Sequence, residues 1–138
     1  MILAAVVAGA LVGLLGAIRG SVFLARVDGG SMLPTYADGD TLVAVRLRRL
    51  LARRAAVFRP PGPHADLPGP RYRVKRVVAV AGQPTPDWVP GEPAGRPVPA
   101  GKLVVRGDAD ASADSRTYGF VDRRAVLGVV VCRLAGNR

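Results

Sequence analysis

The stretch Tyr72-Arg73-Val74-Lys75-Arg76-Val77-Val78-Ala79-Val80 decides the fold of this chain. It is rich in valine, a β-branched residue that favours strands, and a glycine, Gly82, follows two residues after its end. Successive side chains of a strand point to opposite faces, so Lys75 and Arg76 cannot both face solvent. One of these two cations is therefore directed inward.

Four further short apolar runs have the same strand character and are separated by glycine, proline and aspartate. They are Thr41–Val45, Ala55–Phe58, Leu103–Arg106 and Val126–Cys132. Together with residues 72–80 they predict a mainly β protein built on an antiparallel sheet. The most strongly helical stretch between them is Arg46–Ala56, which carries five arginines.

Two segments have the composition of loops. Residues 60–70 contain five prolines, and residues 83–101 contain six prolines and the single tryptophan, Trp88. Proline removes a backbone donor and fixes φ, so neither segment is expected to hold regular structure.

Composition excludes several classes of site. The chain has 138 residues, which suits one domain, and 49% of them are hydrophobic, which is too many for a disordered chain. A single cysteine, Cys132, excludes an internal disulfide, and a single histidine, His64, excludes any catalytic group that needs two histidines. No metal or other cofactor is expected. The net charge of +10 favours an anionic partner and by itself fits nucleic acid or an anionic membrane surface.

The N-terminal segment predicts a membrane anchor. Residues 2–18 are all apolar or glycine, at the lower edge of the roughly 17 to 25 residues that span a bilayer. We expect a transmembrane helix over residues 1–19 and a catalytic domain over residues 20–138. Arg19 and Arg26 follow the apolar run, so the positive-inside rule alone would keep that domain in the cytoplasm.

Ser31 is the candidate nucleophile. It follows Gly29 and Gly30, where no neighbouring side chain blocks its hydroxyl. With histidine nearly excluded, Lys75 is the better candidate for its base, because burial against valines lowers a lysine pKa from about 10.4 toward 7 or 8, and the neutral amine can accept a proton. The alternative to a catalytic role is that Ser31 is an ordinary turn residue and that Lys75 extends to solvent at the edge of the sheet.

Three sequence blocks support the catalytic interpretation. They are Ser31-Met32-Leu33-Pro34-Thr35 with Gly39-Asp40, then Lys75-Arg76-Val77-Val78, then Gly107-Asp108 followed by Ser112, Asp114-Ser115-Arg116 and Gly119. In order and spacing the sequence resembles the type I signal peptidases over essentially the whole chain. The resemblance implies an antiparallel β catalytic domain with Ser31 as nucleophile and Lys75 as general base.

The same resemblance implies roles for further residues. It implies that the Ser112 hydroxyl holds the catalytic lysine, that Asp114 and Arg116 form a supporting ion pair, and that the Ser31 N–H binds the oxyanion. Some members use a hydroxyl two residues before the nucleophile at that point, where this chain has Gly29.

Substrate and location follow from the resemblance as well. The substrate would lie as an added strand with small residues at the minus-one and minus-three positions, and we expect pocket walls from Val27, Met32, Tyr36 and Val74. The partners would be preprotein signal peptides and the phospholipid membrane, with no nucleic acid. We expect a single-pass protein of the plasma membrane with its catalytic domain on the extracytoplasmic side. This orientation is opposite to the one that the positive-inside rule gives from Arg19 and Arg26.

The function predicted from the sequence is therefore a membrane-bound serine endopeptidase that removes signal peptides from exported preproteins. A narrower alternative is a dedicated maturation protease of the same fold for one partner or one secretion or conjugation component. A self-cleaving repressor would need an N-terminal DNA-binding domain, where this chain has an apolar segment. The alternative of another class is a non-catalytic basic membrane-associated protein.

Overall fold

The computed structural model describes residues 2–46, 52–65 and 69–136. A helix, α1, comes first, and a short helix, α2, lies between the fifth and sixth of seven strands. The elements are α1 Ile2–Ser21, β1 Val22–Arg26, β2 Thr41–Val45, β3 Ala55–Phe58, β4 Arg73–Val80, β5 Lys102–Arg106, α2 Ser115–Tyr118, β6 Val121–Asp122 and β7 Val126–Ala135, with 3-10 turns at Gly62–Ala65 and Arg123–Ala125.

The seven strands form one antiparallel sheet in the order β1-β2-β7-β3-β4-β5-β6. The predicted mainly β, antiparallel fold is confirmed, and β2 and β3 have the predicted bounds. The last strand is longer than predicted and runs between β2 and β3, which joins the two halves of the sheet. Two strands, β1 and β6, were not predicted.

The core is built from small aliphatic side chains. Among the buried apolar residues that the structure describes, only Phe58 is aromatic. One cluster joins Val27 and Met32 to the inner faces of β2, β3 and β7. A second packs Phe58 against β4, β5 and β6. The loop that carries Ser31 is therefore attached to the core through its neighbour Met32, which is fully buried.

The two proline-rich segments differ from the prediction in different ways. Residues 60–70 include the 3-10 turn Gly62–Ala65, and residues 66–68 lie outside the described part. In the second segment, Pro84 and Pro97 form an isolated bridge, and Val89 and Val98 are buried against the sheet. Residues 83–101 therefore cover one end of the core. Their valines are buried, and backbone bonds from the Thr85 N–H to the Arg96 carbonyl and from the Val98 N–H to the Gln83 carbonyl, each 2.8 Å long, hold the segment together.

The most strongly helical stretch of the sequence, Arg46–Ala56, overlaps the predicted strand Ala55–Phe58, and the structure has the strand at the two shared residues. Residues 52–54 form a turn, with Arg53 at a φ of 74°, and Ala55 and Ala56 begin β3 with almost no exposure. Burial between β4 and β7 outweighs the helix propensity of alanine. Residues 47–51 lie outside the described residues.

The N-terminal helix α1 runs from Ile2 to Ser21, and β1 follows it directly at Val22. Within the described part of the chain, no helix reaches the combined length and apolar character that crossing a membrane requires. The prediction of a transmembrane helix over residues 1–19 is therefore not confirmed. The division at residue 19 into an anchor and a catalytic domain stays a prediction.

Candidate active site

Strand alternation predicted that either Lys75 or Arg76 points inward, and the structure places Lys75 on the inner face of β4. Its residue is 3% exposed and pairs across the sheet with Ala56 of β3, while Arg76 lies on the other face and is partly exposed. Burial disfavours the charged amine and lowers the pKa of Lys75 to about 8, with smaller lowering effects from Arg73 and Arg116 that oppose the raising effect of Asp114.

Ser31 is presented by a tight turn between β1 and β2. Gly29 adopts a φ of +83°, which favours glycine, and its N–H donates to Asp38 Oδ1 at 2.8 Å. The Leu33 N–H closes the turn by donating to the Gly30 carbonyl at 3.1 Å. The Ser31 hydroxyl that this turn presents is hydrogen-bonded to the Lys75 amine. The two residues are 44 positions apart in sequence, and the fold brings their side chains together.

The segment after β5 fixes the back of the nucleophile turn. The Ala109 N–H donates to the Ser31 carbonyl at 3.1 Å. At Gly107 there is no room for a side chain, since a Cβ there would lie 2.6 Å from the Ser31 carbonyl oxygen and 2.2 Å from Ser112 Oγ. Glycine at residue 107 therefore allows the contact between the third sequence block and the first.

Ser112 lies beside Ser31 and Lys75, which form the candidate catalytic dyad, without a bond to the lysine. Its hydroxyl is buried above Gly107 and makes no hydrogen bond of ordinary geometry within the described residues, although it contributes a small lowering of the Asp114 pKa. The hydrogen bond to Lys75 that the resemblance implied is thus not seen, and the supporting role of Ser112 stays a prediction.

Asp114 and Arg116 form the expected ion pair, and it is not an ordinary surface pair. The Asp114 side chain is fully buried, caps α2, and accepts from Arg116 Nη2 at 2.7 Å and from the Gly107 N–H at 2.7 Å. Burial opposes the charge of Asp114, but these bonds outweigh it and hold the pKa of the carboxyl below its ordinary value. The pair holds the segment behind Ser31 in place, and its effect on catalysis stays a prediction.

A second ion pair, which the sequence did not reveal as a site feature, lies on the outer face of β4. Arg76 binds Asp108 through two bonds, from Nε to Oδ1 at 2.7 Å and from Nη2 to Oδ2 at 2.5 Å. Thr35 Oγ1 also donates to Asp108 at 2.6 Å, and Arg76 donates to the Arg53 carbonyl at 2.7 Å. Both residues belong to the sequence blocks that carry the resemblance, but nothing in the sequence pairs them.

Three of the four predicted pocket residues line one cleft. Val27, Met32 and Val74 lie around a cleft that also contains Ser31 and Lys75. The fourth, Tyr36, does not line this cleft. It packs instead against the core cluster behind Met32, because the turn after Ser31 carries it away from the dyad.

The expected oxyanion donor is the backbone N–H of Ser31. Within the described residues the Ser31 N–H donates no hydrogen bond, which leaves it available to a ligand. Gly29 supplies no hydroxyl. Over the same residues no group of three His, Cys, Asp or Glu side chains is placed to hold a metal ion. The arrangement can therefore support acyl transfer by a serine whose proton passes to an uncharged amine.

Comparison with known proteins gives one family. Residues 83–135 match the family model described as signal peptidase, peptidase S26. The match confirms the resemblance to the signal peptidases and supports a protease of that general kind. It includes Gly107, Ser112, Asp114 and Arg116 but begins after Ser31 and Lys75, and it spans less than half of the chain. No curated protein matches the sequence significantly.

Proposed function

We propose that this protein is a serine endopeptidase that cleaves N-terminal signal peptides from preproteins, with Ser31 as nucleophile and Lys75 as general base. One observation carries the proposal: the buried Lys75 amine, with its pKa lowered to about 8, is hydrogen-bonded to Ser31 Oγ. The family match over residues 83–135 supports it independently, because that segment includes neither member of the dyad.

The reaction follows from this pair. The neutral Lys75 amine takes the hydroxyl proton of Ser31 while Ser31 Oγ attacks the scissile carbonyl. The Ser31 N–H then donates a hydrogen bond to the resulting oxyanion. The ammonium then protonates the departing amine, which leaves an acyl-enzyme. Lys75 next takes a proton from water, and the hydroxide attacks the ester. The tetrahedral intermediate collapses to release the acid, and the Lys75 ammonium returns its proton to the Ser31 oxygen, which restores the serine and the neutral amine. Atoms and charge balance without a cofactor.

Substrate selection would occur in the cleft beside the dyad. Val27, Met32 and Val74 narrow that cleft, so small side chains next to the scissile bond are accepted and larger ones are excluded. Signal peptides with small residues at the minus-one and minus-three positions fit this geometry. A location at the plasma membrane, with the dyad on the extracytoplasmic side, stays part of the proposal. Protease protection in intact and opened cells tests it.

A dedicated maturation protease is the second candidate function. The proposed chemistry would be the same, and the difference lies in the number of substrates. Cleavage of several unrelated preproteins by the purified chain would refute the dedicated role, whereas cleavage of a single one would support it.

The test of the proposal is mass spectrometry of a model preprotein incubated with the full-length chain in detergent. We expect one cleavage, after a small residue. Cleavage should be efficient with alanine at minus one, and it should be lost when leucine or phenylalanine replaces that alanine. The other lysine, Lys102, provides a matched control, because it is exposed on β5 and pairs with Asp122 at 3.5 Å. Lys102→Ala should cleave normally. An intact precursor with the wild-type chain would refute the proposal.

A further inference from the structure

Two buried hydroxyls in the segment after β5 have no hydrogen-bond partner among the described residues. They are Ser112 Oγ and Tyr118 Oη, and both atoms are almost inaccessible to solvent. A hydroxyl buried without a hydrogen bond opposes folding, because the bonds that it made to water have not been replaced. Buried water molecules in proteins typically bind polar groups of this kind. Tyr118 has no part in the dyad or its ion pairs, so its hydroxyl needs an explanation of its own.

The Tyr118 ring lies on the face of the sheet that carries Lys75. The ring packs against the core cluster that contains Ala56 and Phe58. Ala56 of β3 is the direct cross-strand partner of Lys75 of β4, so the two side chains share one face. Tyr118 therefore approaches the dyad from the core side, behind the buried amine.

The position of the Tyr118 side chain is fixed from three directions. Its backbone N–H donates to the Asp114 carbonyl at 3.1 Å, within the turn of α2. The helix is attached to β5, because Ser115 Oγ accepts from the Val105 N–H at 2.9 Å. The imidazole of His64 packs on the other side, with its centroid 5.4 Å from that of the tyrosine ring. The hydroxyl is thus held in one place.

The charges that act on Tyr118 also act on Lys75. Burial raises the pKa of the Tyr118 hydroxyl far above its ordinary value, with a further raising effect from Asp114 that Arg73 opposes. Besides burial, Asp114 and Arg73 shift the pKa of Lys75 in the same directions, so the two groups lie within range of the same two charges. Tyr118 keeps its proton at neutral and moderately alkaline pH, and it can donate one hydrogen bond and accept another.

The second half of the proposed reaction needs a water molecule at Lys75. When Ser31 carries the acyl group, it has no hydroxyl proton, and the Lys75 amine must take a proton from water instead. A water that is held by a fixed hydroxyl is oriented before the reaction, whereas a mobile water must lose its freedom during it.

We propose that the Tyr118 hydroxyl holds the water that hydrolyses the acyl-enzyme, by donating to its oxygen while the water donates to the Lys75 amine. The inference rests on the proposed function, because that function supplies the acyl-enzyme. The water oxygen bonds to the ester carbon, and its proton passes to Lys75. The bond to Ser31 Oγ then breaks, and the ammonium returns the proton to that oxygen. Tyr118 keeps its own proton throughout, so it is a positioning residue.

Tyr118→Phe tests this inference, because it removes the hydroxyl and keeps the ring. The substrate is a peptide p-nitrophenyl ester that ends in alanine and acylates the full-length chain quickly, so kcat reports deacylation and kcat/KM reports acylation. We expect kcat to fall about tenfold and kcat/KM to stay within about twofold of the wild-type value. The intact mass of the variant should show the acyl group on the protein during turnover.

Two controls separate a positioning role from a structural one. Thr117→Val removes an exposed hydroxyl from the neighbouring residue of α2 and should leave both constants unchanged. Hydroxylamine attacks an ester without the help of a base, so it should increase the turnover of Tyr118→Phe more than that of the wild-type chain.

Three results would overturn the role of Tyr118 and leave the proposed function standing. They are an unchanged kcat in Tyr118→Phe, an equal fall of kcat and kcat/KM, and no restoration of turnover by hydroxylamine. A wild-type chain that releases nitrophenol no faster than Ser31→Ala would refute the proposed function as well.

Discussion

The two faces of β4 contact the turn that carries Ser31 by opposite means. On the inner face, Lys75 approaches the Ser31 turn as a buried amine with few polar partners. On the outer face, its neighbour Arg76 binds Asp108, and Asp108 in turn binds Thr35 of the same turn. Burying a lysine opposes folding, whereas a two-bond arginine-carboxylate pair at a partly exposed surface stabilises it. One strand therefore separates a reactive face from a supporting face.

This comparison predicts which changes affect activity and which affect stability. Changes on the inner face should alter the reaction and its pH dependence. Changes on the outer face should alter the stability of the fold and should not change the pH dependence of the reaction.

The largest effect is expected from loss of either dyad member. Ser31→Ala and Lys75→Ala should each lower kcat/KM by about 10⁴-fold or more, since the nucleophile and its base act as a unit. Preprotein cleavage followed by mass spectrometry measures the loss, and thermal unfolding should show both variants folded. Normal cleavage by either variant would contradict the account of the inner face.

The next effect is the pH dependence of the wild-type reaction. Because the pKa of Lys75 is about 8, the fraction of neutral amine falls about tenfold for each pH unit below it. We expect kcat/KM to fall by about a hundredfold from its plateau at pH 9 to 10 down to pH 6. A profile that is flat over this range would mean that no such amine acts as the base.

Asp114→Asn should cause the largest loss of stability. The substitution removes the buried negative charge that pairs with Arg116 and accepts from the Gly107 N–H. Breaking a buried ion pair destabilises a protein by about 3 kcal/mol. The pKa of Asp114 is lowered in the folded state, so the stability that this pair contributes is present at neutral pH and is lost on acidification. Urea unfolding of both chains at pH 7 and pH 3 measures it. An equal difference at both pH values would be inconsistent with this role.

Lys75→Met should stabilise the inactive protein. At pH 7 the folded chain buries a protonated amine, and a lowering of its pKa from 10.5 to about 8 corresponds to a penalty of up to about 3 kcal/mol. The penalty is complete below pH 8 and decreases as the pH rises toward 10.5, where the unfolded chain also loses the proton. Thermal unfolding should show that Lys75→Met raises the stability of the protein more at pH 7 than at pH 10. A destabilised variant at pH 7 would show that burial of the amine carries no such penalty.

The smallest effect is expected on the outer face. Asp108→Asn leaves Arg76 with a neutral partner and should lower stability by about 1 kcal/mol. Because Thr35 belongs to the Ser31 turn, kcat/KM should fall a few-fold, with the midpoint of its pH profile unchanged. The pH profile is the informative readout, and a shifted midpoint would show that the two faces are coupled.

Sequence alternation was sufficient to predict that one of the two adjacent cations points inward, with Lys75 chosen over Arg76 because an arginine stays protonated and cannot act as a base. It was not sufficient to find the partners of Arg76, since pairing with Asp108 depends on how the loop after β5 folds back. Strand β1 was missed for a related reason. It follows α1 without a break, and only its pairing with β2 from Val22 to Arg26 distinguishes it from the apolar segment before it.

The close contact at Gly107 was equally invisible in the sequence. Its importance lies in the distance to the Ser31 carbonyl, which is a property of the folded chain. The sequence showed glycine, serine and aspartate at the spacing of a known motif. The structure shows that Ser112 lies close to Ser31 but is not hydrogen-bonded to Lys75. The motif therefore predicted the position of Ser112 in the site, and the hydrogen bond to the lysine is not seen.

The most direct measurement is an NMR titration of the Lys75 amine. The chain has two lysines, so a Lys102→Arg variant grown with lysine labelled with ¹³C at Cε gives a signal from residue 75 alone. We expect its chemical shift to titrate with a midpoint of about 8 in the folded protein and to return to the ordinary lysine range in urea. A midpoint near 10.5 in the folded protein would show a fully charged amine beside Ser31 and would contradict the proposed base.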